Sequence, residues 1–284
     1  MSRILTSLHG REVGLNQNRR LQCGKGFVAG EHGNQISYSA PSRVVFFDDF
    51  LGDIISDQCN FLEGSDSATS NAAILSGGIG GVVRFTTGDV TGTSGANVLS
   101  NVEALAHELQ WQCSTVNGVL AMQCRIKLSS ITTGWAFIGF TDYLTAELPA
   151  VSSGSGNGIT TNATDAVGFL FDPLMTTAKW WATGVANDVD ATHVSTGVVP
   201  VADTYQTLRV EIAPSSTTGT ASFFINGVSV ATLTGCLTSG IASAAINLTP
   251  IVAVSKCYAD TTSITADLDY LYVGMERGLD GTAN

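Results

Sequence analysis

The sequence predicts an all-β protein, a sandwich of about a dozen antiparallel strands preceded by an extended N-terminal arm. Short runs rich in β-branched and aromatic residues recur along the chain, separated by clusters of Gly, Asn, Asp and Ser. Alternating runs flank two Asn-Gly dipeptides, which are the preferred turn residues of two-residue hairpins. Charged residues make up only 13% of the 284 residues, which does not suit long charged helices.

The candidate strands follow one another from residue 44 to residue 274. VVFFDDF (44–50) is the first and ITADLDYLYVG (264–274) is the last. The principal runs between them are AAILSGG, GGVVRFTTG, WAFIGFTD, AVGFLFD, KWWATGV, YQTLRVEI, ASFFINGVSVATL and TPIVAVSKC. SNVEALAHEL (100–109) is the best candidate for one short helix or helical turn.

Two hairpins and one further strand show the alternation of side chains that a sandwich requires. A two-residue loop at Asn226-Gly227 predicts the pairs Ile225–Val228, Phe223–Val230 and Ala221–Thr232. The same loop at Asn117-Gly118 predicts Leu120–Thr115, Met122–Cys113, Cys124–Trp111 and Ile126–Leu109, with Gln112, Gln123, Arg125 and Lys127 on the opposite face. In YQTLRVEI, the side chains of Leu208, Val210 and Ile212 point one way and those of Arg209 and Glu211 the other.

A change in charge and the start of alternating runs separate an arm (residues 1–43) from a sandwich (44–274), and a C-terminal tail (275–284) follows the last run. The arm has a net charge of +4, although the whole protein carries −11. Its cations include Arg3, Arg11, Arg19, Arg20 and Lys25, which we interpret as an assembly arm that lies on an acidic protein surface. The acidic body disfavours nucleic acid, because it would repel a phosphate backbone. No apolar run is long enough for a membrane span, and no secretory signal peptide is predicted.

The ordered set of runs resembles a known family. VVFFDDFLGD, GGVVRFTTG, MQCRIKLSS with WAFIGFTD, AVGFLFD, YQTLRVEI with SFFINGVSVATL, and ITADLDYLYV resemble the concanavalin A-like (laminin-G-like) jelly-roll sandwich, in the form found in tailed-phage virion proteins. The resemblance covers residues 44–274. It implies a jelly-roll fold and a structural role on the capsid or tail. The fold also hosts lectins and glycosidases, so function depends on the site.

No catalytic site is predicted. Glycosidases of this sandwich class carry paired acids on one strand, whereas the corresponding stretch here, residues 121–127, has no carboxylate. Asp48-Asp49 is interpreted as a strand-end turn with one Asp as cap. Asp267 and Asp269 are interpreted as the solvent face of a terminal strand, with cation binding as the alternative. No metal site is predicted, although calcium at Asp142 or at the surface loop of residues 187–190 stays open.

Tryptophans and cysteines supply two further hypotheses. Adjacent Trp180 and Trp181 face opposite sides of a strand, so one is expected in the core while the other contacts solvent, a glycan or another subunit. The six cysteines contain no C-x-x-C, and Cys113 and Cys124 are expected to be buried thiols on one hairpin. Cys23 lies in the arm, and we hypothesise an inter-subunit disulfide that pairs it with Cys59 or Cys236.

These observations predict a non-enzymatic structural protein of a phage virion, made in the host bacterial cytoplasm. It is expected to be a capsid decoration or cement protein that docks through its arm on the major capsid protein and on copies of itself, as a homo-oligomer. The alternative is a carbohydrate-binding adhesion module on a phage tail or fibre. No cofactor is expected.

Overall fold

The structure is a computed structural model of the 284-residue chain. It describes residues 43–51, 59–63, 70–75, 81–88, 102–106, 108, 110–115, 117–145, 149–153, 158–190, 193–214, 219–237, 246–256 and 262–276. The predicted arm and tail lie outside these residues, apart from Arg43, Met275 and Glu276. No helix in the described part of the chain is long and apolar enough to cross a membrane.

The described residues form 19 β-strands and no helix. The strands are β1 Arg43–Asp48, β2 Cys59–Glu63, β3 Asn71–Ile74, β4 Val83–Thr86, β5 Val102–Ala106, β6 Trp111–Cys113, β7 Leu120–Leu128, β8 Gly134–Thr141, β9 Val151–Ser153, β10 Ile159–Thr161, β11 Asp165–Phe171, β12 Trp180–Ala186, β13 Val189–Asp190, β14 Val194–Ser195, β15 Gln206–Pro214, β16 Gly219–Ile225, β17 Val228–Thr234, β18 Ile246–Lys256 and β19 Thr265–Glu276.

Two antiparallel sheets make up the sandwich. Sheet A has the strand order β17-β16-β15-β7-β19-β4-β3, and β1 also pairs with β19. Sheet B has the order β13-β12-β11-β8-β18-β5-β2, with β14 beside β12 and β6 beside β18. The first described strand begins at Arg43 and the last ends at Glu276.

The main core lies between the two sheets. Sheet A contributes one residue in two, as on β7, where Leu120, Met122, Cys124 and Ile126 are buried and the residues between them are half-buried. Sheet B is different, because every residue of β8 and β11 is buried. Such strands must be covered on both faces.

A third layer covers the outer face of sheet B. The hairpin of β9 and β10 contributes Val151 and Ile159 to a second apolar cluster, which also contains Trp135 and Phe137 of β8 and Leu170 of β11. Sheet B is therefore enclosed between sheet A and this hairpin layer.

Two predictions about the region of residues 100–126 are wrong. Residues 102–106 form strand β5, between β2 and β18, instead of a helix. The predicted Asn117-Gly118 hairpin does not form, because β6 pairs with β18 in sheet B while β7 pairs with β15 and β19 in sheet A. The turn at Asn117 therefore carries the chain from one sheet to the other, and Cys113 and Cys124 are not neighbours on one hairpin.

The Asn226-Gly227 hairpin is confirmed in part. Ile225 pairs with Val228 as predicted, but a β-bulge at Val230 shifts the remaining register by one residue. Phe223 then pairs with Ala231, and Ala221 with Leu233. The shift is favourable because it places Leu233 in the core, where the predicted register would have placed Thr232.

Strands β8 and β11 approach each other at a pair of glycines. Gly139 is directly opposite Gly168. A methyl group at Gly139 would lie 2.1 Å from the Val167 carbonyl oxygen and 2.4 Å from the Gly168 Cα. Both obstacles are backbone atoms, so no side-chain movement can relieve the contact.

We expect Gly139→Ala to destabilise the fold by about 3 kcal/mol, because the two central strands of sheet B would have to separate. Urea unfolding followed by tryptophan fluorescence measures this as a lower midpoint at unchanged slope. The control is Thr232→Ala, an exposed position on β17, for which the midpoint should hardly change. A Gly139→Ala protein as stable as this control would contradict the close approach.

Candidate functional site

The outer face of sheet A, turned away from the core, carries polar side chains together with a few exposed or half-buried aromatic rings. On β7 the outward residues are Gln123, Arg125 and Lys127, because they alternate with the buried ones. Their cross-strand partners on β15 and β19 face the same way. This confirms the predicted polar face of β7 and the predicted outward direction of Arg209 and Glu211.

One row of directly opposed residues crosses five strands of this face. Its members, which we call the cross-strand row, are Phe47, Tyr272, Gln123, Arg209 and Phe224. Phe47 is 57% exposed, and the other members are exposed or half-buried. At about 4.8 Å per strand, the row is about 19 Å long.

Contacts along the cross-strand row hold its side chains in place. Gln123 Nε2 donates a hydrogen bond to Tyr270 Oη at 2.7 Å, and the Phe47 ring lies 6.1 Å from the Tyr270 ring. The Arg209 guanidinium carbon lies 5.4 Å from the centre of the Phe224 ring. These contacts pre-position Phe47, Gln123, Arg209 and Phe224, so a ligand that contacted them would immobilise few further side chains.

The hydroxyl end of the Tyr272 ring lies over Gly274. A Cβ at residue 274 would lie 2.5 Å from the Tyr272 Oη. Glycine at this position therefore gives the tyrosine side chain room on the outer face.

A second group on the same face, which we call the ionic cluster, consists of Arg84, Arg125, Lys127, Tyr205, Asp267 and Asp269. Asp267 is its centre. Arg84 donates to both carboxylate oxygens, Nε to Oδ1 at 2.7 Å and Nη2 to Oδ2 at 2.9 Å, and Lys127 Nζ lies 2.8 Å from Oδ2. Cross-strand register places Asp267 between these two cations.

Asp267 is held in its ionised form. Its side chain is only 2% exposed, and burial alone would raise the pKa of the carboxyl group. Hydrogen bonds and charge from Arg84 and Lys127 outweigh burial, so the pKa lies below its ordinary value. The hydrogen bond to Asp267 raises the pKa of Lys127 in turn.

Arg125 and Tyr205 adjoin this centre. Arg125 Nη1 donates to Asp269 Oδ2 at 2.7 Å, and its guanidinium carbon lies 4.3 Å from the centre of the Tyr205 ring. Lys127 Nζ lies 5.2 Å from the same ring centre. Burial, followed by the charge of Asp267, raises the pKa of Tyr205, so its hydroxyl is neutral at pH 7.

Asp267 and Asp269 lie on the outer face of the last strand, as interpreted, but Asp267 is not exposed to solvent. Its side chain is buried in an ion-paired group, because β19 lies inside sheet A between β7 and β4. A register irregularity between Leu268 and Tyr270 lets Asp269 reach Arg125. Within the described residues, no three His, Cys, Asp or Glu side chains are placed to hold a metal ion.

The chemistry of the ionic cluster favours binding over acid–base catalysis. A glycosidase needs one carboxyl group that keeps its proton near neutral pH and a second that is ionised. Both oxygens of Asp267 accept from cations, and Asp269 accepts from Arg125. β7 contributes no carboxylate at all.

Three other acidic sites considered from sequence have structural contacts or positions. Asp48 Oδ1 accepts a hydrogen bond from the Phe50 amide at 2.8 Å, as expected of a capping residue. Asn187 and Asp188 both have positive φ and form the exposed turn between β12 and β13, which confirms the predicted surface loop. Asp142 Oδ1 accepts from the amides of Thr164 and Asp165.

Both tryptophans proposed for glycan contact are buried. Trp180 lies in the main core and donates from Nε1 to Gln206 Oε1 at 2.8 Å. Trp181 lies in the second cluster, is 8% exposed, and donates from Nε1 to the Thr177 carbonyl at 3.1 Å. Neither ring faces solvent, because sheet B is covered on both sides.

The assembly-arm residues Arg3, Arg11, Arg19, Arg20 and Lys25, together with Cys23, lie outside the described residues. Cys59 and Cys236 are free, buried thiols. Burial raises the pKa of each to about 12. The inter-subunit disulfide stays a hypothesis, and it would require either thiol to become accessible. Cys113 and Cys124 are also buried, as predicted.

The sequence did not predict which residues meet on the outer face of sheet A. Arg84, Tyr205 and Phe47 come from distant parts of the chain, and only the pairing of β1, β4 and β15 with their neighbours brings them together. The local signal was the alternation of polar residues in MQCRIKL, YQTLRVEI and ADLDYLY. It indicated outward side chains but not their partners.

We expect Asp267→Asn to lower stability by about 2 kcal/mol at pH 7, because Arg84 and Lys127 lose their shared counter-ion. The matched control is Glu211→Gln, which removes a more exposed partner from Arg209 and should cost under about 0.5 kcal/mol.

The effect of Asp267→Asn should also depend on pH. The folded-state pKa of Asp267 is lowered, so its contribution is fully present above the unfolded-state value and is lost as the pH falls through the folded-state value. Urea unfolding from pH 7 down to pH 2.5 should show wild type and Asp267→Asn converging below about pH 4. A constant difference across that range would contradict the assigned ion pairs.

Comparison with known proteins gives the fold. No protein-family model matches the chain, and a search of curated proteins gives no match. Among solved structures, an endo-1,3-β-glucanase from Streptomyces sioyaensis matches with a TM-score of 0.52 at 14% identity, over 85% of this chain and 100% of that one. A protein of unknown function from Shewanella oneidensis MR-1 matches with a TM-score of 0.49 at 12% identity, over 87% of this chain and 92% of that one. Lectin I from Ulex europaeus matches with a TM-score of 0.49 at 13% identity, over 83% of this chain and 98% of that one. The chain thus has a concanavalin A-like jelly-roll fold, as predicted.

Proposed function

We propose that this protein is a non-enzymatic carbohydrate-binding module whose ligand lies on the outer face of sheet A. The observation that carries the proposal is the cross-strand row, in which the donors Gln123 and Arg209 lie between aromatic rings at both ends of the row. Sugar rings have apolar faces and polar edges, so a surface that binds them needs aromatic groups beside fixed polar ones.

The length of the row favours an oligosaccharide over a single sugar. Phe47 and Phe224 lie at its two ends, about 19 Å apart at the usual strand spacing. Gln123 and Arg209 lie between them and offer donors to hydroxyl groups. An extended ligand that crosses the strands would contact all of these groups at once.

The absence of catalysis is part of the proposal. The two carboxylates of the ionic cluster are ion-paired, and the lowered pKa of Asp267 makes it a poor proton donor. The Streptomyces sioyaensis structure shares the fold and is named an endo-1,3-β-glucanase. That name is compatible with a saccharide ligand here but says nothing of hydrolysis by this chain.

We expect Tyr272→Ala and Phe224→Ala each to weaken the binding of a linear oligosaccharide about tenfold, through loss of a stacking surface. A glycan array would select the ligand and titration calorimetry would measure the dissociation constant. Val201→Ala, an exposed position outside the row, is the control and should bind like wild type. No binding to any glycan, or release of new reducing ends from a bound one, would contradict the proposal.

We also propose that the chain is a structural protein of a phage virion. The support comes from the sequence, in which a basic segment of net charge +4 precedes a body of net charge −15. Such a segment suits docking on an acidic protein surface, here the major capsid protein or neighbouring copies of this chain. Capsid decoration and glycan binding use different residues, so one chain can do both.

We expect deletion of residues 2–40 to leave a folded sandwich that no longer incorporates into particles, because the deletion removes none of the described strands, the first of which is Arg43–Asp48. Circular dichroism would confirm folding, and gel analysis of purified particles would measure incorporation. The charge-reversed variant Arg19→Glu/Arg20→Glu separates electrostatic docking from chain length. Normal assembly of this variant at physiological salt would contradict electrostatic docking.

A further inference from the structure

We propose that the ionic cluster is an anion-binding subsite of the outer face, and that the ligand is a linear polysaccharide containing uronic acid units. This inference rests on the proposed carbohydrate-binding function and names its ligand class. The expected recognition is between the sugar carboxylate and the guanidinium groups of Arg84 and Arg125, with the Lys127 ammonium beside them.

The distribution of charge is the first support. Beyond residue 43 the sequence has seven Lys and Arg residues against 22 Asp and Glu. Three of those seven, Arg84, Arg125 and Lys127, belong to the ionic cluster, where they meet two carboxylates. The charge of Asp203, after that of Asp267, also acts on Arg84, so this part of the face is close to neutral. In a body of net charge −15 it is therefore a place where an anion is repelled least.

The geometry of the cations is the second support. Asp267, 2% exposed, fixes Arg84 and Lys127, while Asp269 and the Tyr205 ring fix Arg125. A single cation would neutralise the buried carboxylate. The second one brings a further cation to the surface, held in position before any ligand arrives.

Both arginines keep donors for a ligand. Arg84 uses Nε and Nη2 for Asp267, and Arg125 uses Nη1 for Asp269. Among the described residues, the remaining N–H groups of these guanidiniums have no hydrogen-bond acceptor, and the two side chains are 37% and 43% exposed. Guanidinium N–H groups match the geometry of a carboxylate, and two arginines can share one.

The position of the cluster relative to the cross-strand row indicates a sugar acid rather than a small anion. Lys127 and Gln123 lie on the same face of β7, four residues apart, or about 14 Å along the strand. Arg125 lies between them. A ligand that spans both groups must offer apolar ring faces to the row and separate negative charges to the cluster. A polyuronide has both properties, one carboxylate for each sugar ring.

The test is titration calorimetry of the full-length protein with a panel of oligouronides. The panel contains oligogalacturonate, oligoalginate and hyaluronate oligosaccharides, each beside its carboxyl-reduced, uncharged counterpart. At least one acidic oligosaccharide should bind ten times more tightly than its reduced form, and its affinity should fall as NaCl is raised from 50 to 500 mM. A sulfated galactan oligosaccharide distinguishes carboxylate recognition from general anion binding.

Variants assign the effect to the cluster. Lys127→Met keeps Arg84 on Asp267, and Arg125→Gln leaves Asp269 partly exposed, so both should fold. Each variant should bind the acidic oligosaccharide about ten times more weakly than wild type, and should bind its reduced counterpart less than two times more weakly. The matched control is Arg209→Met, which removes one charge from the same face. It should lower the affinity for the acidic and the reduced oligosaccharide equally, because Arg209 belongs to the cross-strand row.

Each outcome separates this inference from the proposed function. If neutral glycans bind and no acidic form is preferred, the uronate subsite is wrong while carbohydrate binding stands. If the sulfated galactan binds as tightly as the best oligouronide, the cluster binds anions in general and the proposed recognition of carboxylates is wrong. If no saccharide binds, neutral or charged, the proposed function itself fails.

Discussion

The need to bury both faces of sheet B determines the rest of the structure. Its central strands β8 and β11 are buried at every residue, so one layer cannot satisfy them. Sheet A covers one face, and the hairpin of β9 and β10 covers the other together with Met175 and Leu144. Trp180 and Trp181 are buried by the same arrangement. The outer face of sheet A is consequently where half-exposed rings, amides and charges collect.

The electrostatics of that face depend on Asp267. A buried carboxylate is costly unless charged partners surround it, and strand register supplies two of them, Arg84 on β4 and Lys127 on β7. Under the proposed function, stability and ligand binding are therefore linked. The interactions that offset the burial of Asp267 also fix cations at the surface, in the orientation that a ligand would meet.

Carbohydrate binding and virion assembly are complementary proposals. The first depends on the rigid outer face of sheet A, which strand pairing alone positions. The second depends on the charge of the predicted arm, which apart from Arg43 lies outside the described part of the chain. A jelly-roll sandwich accommodates both, because its fold restricts the core and leaves the surface chemistry free.

Local alternation made the fold class, most strands and the polar face of β7 predictable from sequence. Leu208, Val210 and Ile212 are buried and Arg209 faces outward, as the pattern of YQTLRVEI indicates. Partners were not predictable, since Asn117-Gly118 looks like a hairpin turn but carries the chain between sheets. The bulge at Val230 was not predictable either, because it depends on the burial of Leu233 in the core.

The candidate site shows the same division between sequence and structure. Sequence alone determined which residues alternate outward, because side-chain direction along a strand is a local property of the backbone. Tertiary structure decided that Arg84 and Lys127 meet at Asp267. Such pairings join residues up to 183 positions apart, and they follow from packing of the whole core, which no short segment encodes.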